Sequence, residues 1–275
     1  MLDCDPWDSA AHVRTAEHWR SAAAGWGSAL TEALLDSADL SPSSFVLDVA
    51  AGSGDPSLSI ARHLSTGSVL ALDTSLPSLL LAKRDVDETD LASKVRFVQA
   101  DVHALPFSDS CFDRVTCRCG IMFFADVQRA LMEILSVLKP GGRAVFLVWG
   151  PFEQPLFLST VGEILRLVTG TAIPEQARTM FRFSKSGSIA EALRSAGFRN
   201  VQEQHLALSR IWCGSPQQLW QYFQEVSTLF HPLIRQIPQA MRPQIDDAVH
   251  IALARFQSSN TISVPAQLIL ATAER

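Results

Sequence analysis

The residues most able to do chemistry are a few acids set around a pair of glycines. In Asp48-Val49-Ala50-Ala51-Gly52-Ser53-Gly54-Asp55-Pro56 one acid precedes a Gly-x-Gly turn and another follows it. Glycine frees such a turn from steric limits and lets backbone N–H groups approach a ligand closely. Asp73 lies 21 residues beyond Gly52, a distance at which an acid can accept both hydroxyls of an adenosine ribose. A dinucleotide fingerprint requires Gly or Ala at position 57, and Ser57 stands there instead. The acids Asp48 and Asp55 are also wrong for a pyrophosphate. They suit a ligand that carries an ammonium and a sulfonium.

Something must hold these groups in place. Apolar runs at Phe45–Ala50, Val69–Asp73, Val95–Gln99, Arg114–Cys117 and Ala144–Trp149 read as strands. Helical stretches at Pro56–His63, Pro77–Val86 and Val127–Leu138 alternate with them. Strands that are apolar throughout, separated by helices, predict a doubly wound α/β fold with its sheet covered on both faces. Leu138-Lys139-Pro140-Gly141-Gly142-Arg143 reads as a helix stop and turn. Residues 7–40 look helical, and Trp19 and Trp26 share a face there. Beyond Trp149 the chain predicts a helix over 189–196, a strand near 200–209, helical segments over 215–258 and a last strand near 262–273.

The motifs resemble those of class I S-adenosylmethionine-dependent methyltransferases, and specifically the ubiquinone/menaquinone-biosynthesis-like (type 11) group acting on small molecules. Asp48-x-Ala50-x-Gly52-Ser53-Gly54-Asp55 is similar to the first family motif, with Ala50 where a glycine often stands. Ala100-Asp101-Val102-His103-Ala104-Leu105-Pro106-Phe107 is similar to the motif whose acid meets the adenine amino group. Asp109-Ser110-Cys111-Phe112-Asp113 and Leu138–Arg143 resemble the approaches to the fourth and fifth strands. The resemblance covers about residues 45–150. It implies a Rossmann-like, seven-stranded, mostly parallel sheet with helical lid insertions, and S-adenosyl-L-methionine as cofactor. Carried onto this chain, the cofactor contacts are Asp48, Ala50, Gly52, Ser53, Gly54, Asp73, Thr74, Asp101, Val102, Cys117 and Arg118. Trp26, or Trp19, would belong to an N-terminal helical lid.

Three segments follow: an N-terminal helical one over 1–44, the cofactor-binding core over 45–150, and the remainder over 151–275. Insertions at about 151–188 and 210–258 would roof an acceptor pocket. They supply Phe152, Phe157, Phe181, Phe183, Trp212, Trp220, Tyr222, Phe223 and Phe230, which suits an apolar or planar acceptor. The reaction implied is in-line methyl transfer to a small molecule, at carbon, oxygen or nitrogen. If a general base is needed, His18 and His231 are candidates beside His103, His205 and His250, and the sequence does not choose among them.

Other readings remain open at this point. Cys111, Cys117 and Cys119 could converge in a thiol-dependent arsenite methyltransferase, although cysteine is also a common small core residue. A nicotinamide-dependent oxidoreductase and a non-catalytic S-adenosylmethionine-binding protein are the further alternatives. With a net charge of −5 and no basic run, the 275-residue chain is not expected to bind nucleic acid. Its acidic N-terminus and short apolar runs predict neither a signal peptide nor a transmembrane segment. Five cysteines in a chain this long predict a reducing, cytoplasmic setting and no metal site. A homo-oligomer is left open.

Overall fold

A computed structural model describes residues 27–151, 156–170, 179–226 and 234–275. Helix α1 (Ser28–Ala38) leads into strand β1 (Phe45–Val49), followed by α2 (Ser57–His63), β2 (Ser68–Asp73), α3 (Leu76–Asp87) and β3 (Val95–Gln99). Next come β4 (Phe112–Arg118), α4 (Val127–Val137), β5 (Leu138–Trp149), α5 (Leu156–Thr169) and α6 (Ser188–Ser195). The chain ends with β6 (Arg199–Cys213), α7 (Pro216–Val226), α8 (Arg242–Ala254), β7 (Gln257–Ser258) and β8 (Thr261–Glu274).

The sheet order is β3-β2-β1-β4-β5-β8-β6, with the two-residue β7 paired to β8 alone. β1 to β5 run parallel, while β8 is antiparallel to both β5 and β6. This is the doubly wound, mostly parallel sheet that the apolar runs predict. β1 is central and covered on both faces, so Val46, Leu47 and Val49 can all be apolar without alternation. The chain leaves β1 toward β2 on one side and later returns to β4 on the other. Ligands of open α/β sheets bind at such a switch point, outside the C-terminal strand ends.

Helix α4 shows how the layers are built. Val127, Ala130, Leu131, Ile134 and Val137 form its buried stripe, and the Asp126 carboxylate caps it by accepting the Arg129 N–H at 3.0 Å. Each large residue on that stripe contributes about 1.5–3 kcal/mol. Between β4 and β5 the pairing jumps from Phe112↔Leu138 to Arg114↔Arg143, which absorbs the Pro140-Gly141-Gly142 turn inside β5. Asp113 anchors this region, accepting from the Phe45 N–H at 2.9 Å and from Lys139 Nζ at 2.7 Å.

The sixth strand is longer than the expected 200–209. It runs to Cys213 because β8 supplies partners from Glu274 down to Thr261. β5 stops level with Leu268, so the ribbon of Leu206–Cys213 and Thr261–Leu268 projects beyond the sheet. The region assigned wholly to a helical insertion therefore begins as strand. Helix α8 packs on α5 and α7, and α5 packs on β8. Leu219, Trp220, Val249, Leu253 and Ile262 are buried there in the same hydrophobic cluster as the sheet residues.

Candidate cofactor and acceptor site

The turn after β1 is held from above and below. Ala50, Gly52 and Gly54 all have positive φ, 58°, 54° and 106°. A Cβ at Gly52 would meet nothing within 4 Å, so the backbone there borders open space. A Cβ at Gly54 would come within 2.9 Å of the Ala82 Cβ, so only glycine allows α3 this close. Asp73, at the end of β2, accepts the Gly52 N–H at 2.8 Å through Oδ2 and the Ser75 N–H at 2.9 Å through Oδ1. The acid and the turn that the sequence spacing pairs are thus in direct contact. These amide donors fix the direction of the carboxylate.

Asp48 lies beneath the turn rather than in the crevice. It is fully buried, and it accepts the Ser57 hydroxyl and, at 2.7 Å, the Thr116 hydroxyl. Desolvation pushes its pKa up to about 6, against the opposing pull of those two hydroxyls. This corrects the expectation of direct cofactor contact, because a carboxylate with no accessible surface cannot touch a ligand. It also explains Ser57: the position that departs from the dinucleotide fingerprint satisfies a buried acid.

Asp55 is likewise engaged. Its Oδ2 accepts from Arg118 Nη1 at 2.6 Å and from the Thr31 hydroxyl at 2.8 Å, and its Oδ1 from the Ser59 hydroxyl at 3.1 Å. Arg118 Nη2 adds a bond to the Asp55 carbonyl at 2.7 Å. The end of β4, the turn after β1 and helix α1 are tied together at one point. Asp55 does not present an extra negative charge to a ligand, so that part of the charge argument fails. Beside this point Gly120 packs so tightly that a Cβ would meet the Ala50 Cβ at 2.5 Å and the Cys117 Sγ at 2.9 Å.

Asp101 is exposed at the end of β3 beside the buried Val102. It accepts the His103 N–H at 2.9 Å and contacts the His103 Nδ1 at 2.5 Å. Partial desolvation raises its pKa, but the bonds to His103 outweigh this and hold it below the usual carboxylate range. His103 Nε2 accepts the Asp126 N–H at 3.1 Å, so the ring proton sits on Nδ1 and faces Asp101. Both ring nitrogens of His103 are thereby used in structure.

Where α7 follows β6, aromatic side chains cluster, and Tyr222 and Phe223 are buried. The Trp212 and Tyr222 rings lie 5.1 Å apart, and Tyr222 meets Phe223 edge-on at 5.6 Å. Trp149 closes β5, with the Arg210 guanidinium 5.3 Å from its ring centroid. Burial pushes the Tyr222 hydroxyl well above its ordinary pKa despite the nearby Arg210, so it stays a neutral O–H donor.

Comparison with known proteins decides the family. A family described as a methyltransferase domain matches residues 46–142, the stretch that carries the turn and the acids. A demethylmenaquinone methyltransferase of Lactiplantibacillus plantarum is 32% identical over 176 residues, covering 60% of this chain and 74% of the relative. The chain belongs to the class I S-adenosylmethionine-dependent methyltransferases. S-Adenosyl-L-methionine is its cofactor. Two solved structures share the fold of this methyltransferase. A Haemonchus contortus phosphoethanolamine N-methyltransferase has TM-score 0.61 at 16% identity, over 98% of this chain and 59% of that one. Geranyl diphosphate C-methyltransferase from Streptomyces coelicolor has TM-score 0.52 at 17% identity, over 90% and 79%. Those two enzymes act on chemically unlike acceptors, so the fold does not select the acceptor.

The methyltransferase's residues fit that cofactor: open space borders Gly52, and the Asp73 and Asp101 carboxylates lie at neighbouring strand ends. Ser53, Thr74 and Asp101 stay accessible along the same edge, whereas the Cys117 side chain is buried. Trp26, His18 and His231 lie outside the described residues. Burial pushes the Cys117 thiol far above its ordinary range, and the Cys111 thiol bonds the Ser108 carbonyl at 3.0 Å. Among the described residues no cluster of His, Cys, Asp and Glu could hold a metal. The sequence motifs do not single out Thr31 or Arg210: Thr31 lies before the first recognisable motif, and only the break in an apolar alternation marks Arg210.

Proposed function

We propose that this methyltransferase methylates a small planar aromatic acceptor of the quinol type. The acceptor lies between the C-terminal ends of β4 and β5 and the aromatic residues of β6 and α7. The observation that carries this reading is the largely buried aromatic cluster of Trp212, Tyr222 and Phe223, with Trp149 at the end of β5 linked to it through Arg210. Flat rings recognise flat rings by stacking and by burying apolar area. The similarity to a demethylmenaquinone methyltransferase supports the same class.

In this reading Asp73 accepts the ribose hydroxyls, and Asp101 with the Val102 backbone meets the adenine. Ala50, Gly52, Ser53, Gly54 and Thr74 border the amino-acid half, with the Cys117–Arg118 backbone closing the other side. The bound cofactor supplies an already activated sulfonium methyl. The protein's contribution is to align the acceptor atom with it and to exclude water. Tyr222 can donate its O–H to an acceptor oxygen. His103 is held by Asp101 and Asp126 and does not serve as a base. We place the protein in the cytoplasm, a reading supported by the unpaired Cys111, Cys117, Cys119 and Cys213; no helix of the described residues is long and apolar enough to cross a membrane.

The test is transfer of an isotopically labelled methyl group to a panel of reduced naphthoquinones and benzoquinones, analysed by mass spectrometry. Label should appear on the aromatic acceptor. Tight binding of S-adenosylhomocysteine with transfer only to non-aromatic acceptors overturns the reading.

A further inference from the structure

Strand β6 alternates along the projecting ribbon. Ala207, Ser209, Ile211 and Cys213 are exposed, while Leu206, Leu208, Arg210 and Trp212 are half-buried on the covered face. A covered strand face carries apolar residues, because a charge there loses hydration. Arg210 breaks the rule in the middle of the stripe.

Its direction is informative. Arg210 pairs with Val264, whereas β5 ends at Trp149, level with Leu268, four positions nearer the sheet. The Arg210 side chain nevertheless lies over the Trp149 ring, so it reaches back along the ribbon toward the strand ends. Among the groups acting on its charge are the Tyr222 phenol on α7, the Cys119 thiol just past β4, and Arg118. The Cys119 N–H is bonded to the Leu147 carbonyl at 2.8 Å, which places it on the edge shared by β4 and β5. The guanidinium is thus delivered to the acceptor side of the crevice. Burial lowers its pKa to about 10, so it is still a cation at neutral pH.

We propose that Arg210 is the specificity residue of the acceptor site: braced on Trp149, its guanidinium binds an anionic oxygen, carboxylate or acidic enolate, on a planar aromatic acceptor. This rests on the aromatic-acceptor reading above and adds charge to it. A guanidinium is planar, stacks on an indole, and offers its N–H groups in a fork that matches a carboxylate. An ammonium in its place would keep the charge and lose the fork.

Calorimetry on the full chain saturated with S-adenosylhomocysteine tests this with three probes: 2-naphthoate, 2-hydroxy-1,4-naphthoquinone, which ionises to an enolate, and the neutral methyl 2-naphthoate. Both anions should bind about tenfold more tightly than the ester, the scale of a charged hydrogen bond. Arg210→Met should bring the three to within about twofold of one another, the expected loss of that bond, with S-adenosylhomocysteine affinity unchanged. Arg210→Lys should keep part of the preference. If Arg210→Met does not fold, Arg210→Gln carries the same comparison. An ester that binds as well as the anions, or a preference that survives loss of the guanidinium, overturns the role of Arg210 alone. Failure of all three probes to bind beside bound S-adenosylhomocysteine overturns the aromatic-acceptor reading with it.

Discussion

Replacing Asp48 by asparagine keeps the shape of a fully buried side chain and removes its ability to ionise. In the folded chain its pKa is about 6, against an ordinary value of 3.8, and the cause is desolvation. The folded value is raised, so the stabilising contribution is complete below about pH 4 and is lost as pH rises through 6. Each pKa unit of separation is worth about 1.4 kcal/mol, so the full span is about 3 kcal/mol. Between about pH 5 and pH 7.5 roughly one such unit is traversed, and the wild type loses about 1 kcal/mol that Asp48→Asn does not. Urea unfolding of both proteins at the two pH values measures this, because the other titrating groups cancel in the difference. Relative to wild type, the asparagine variant should therefore gain about 1 kcal/mol on going to the higher pH. Its affinity for S-adenosylhomocysteine should stay within about twofold, since the carboxylate lies under the turn. Parallel stability profiles would refute the raised pKa. A large affinity loss with an intact fold would refute the placement beneath the turn.

Asp73→Ala should weaken S-adenosylhomocysteine binding by about 1–3 kcal/mol in calorimetry, since it removes the proposed ribose acceptor and the partner of the Gly52 N–H; wild-type affinity in a folded variant excludes Asp73 as the ribose ligand. Arg118→Ala leaves Asp55 with only hydroxyl donors in a half-buried site and should lower stability by about 1–3 kcal/mol in urea. No loss there would show that the link from α1 to the turn is unimportant. Cys117→Ser combined with Cys119→Ser should leave methyl transfer within about threefold of wild type, because transfer from a sulfonium needs no thiol. Loss of turnover with unchanged cofactor affinity would restore the thiol-dependent alternative.

Much of the site is legible because its logic is local. Gly52, Gly54 and Asp73 can be read from type and spacing, since a turn after a buried strand and an acid at the next strand end are both one-dimensional facts. The fate of the other acids is not local. Asp48 and Asp55 look alike in the sequence, acids that flank the same glycine turn on either side. One is closed off by Ser57 and Thr116, and the other is neutralised by Arg118, 63 residues away. The pairing of β1 with β4 brings Thr116 and Arg118 to them, while Ser57 comes from the start of α2.

The sequence by itself determined the sheet's parallel half and the position of the crevice. Continuous apolar runs between helices permit little else, and glycines mark where the backbone must open to a ligand. Tertiary structure alone decided which charges face that crevice. It extended β6 through β8 pairing until Arg210 passed the end of β5, and it turned that side chain back over Trp149. Exposure of a charge depends on what covers it, and the cover comes from elements far away in the chain. Backbone propensity acts over a few residues, whereas solvation is settled only when distant surfaces meet.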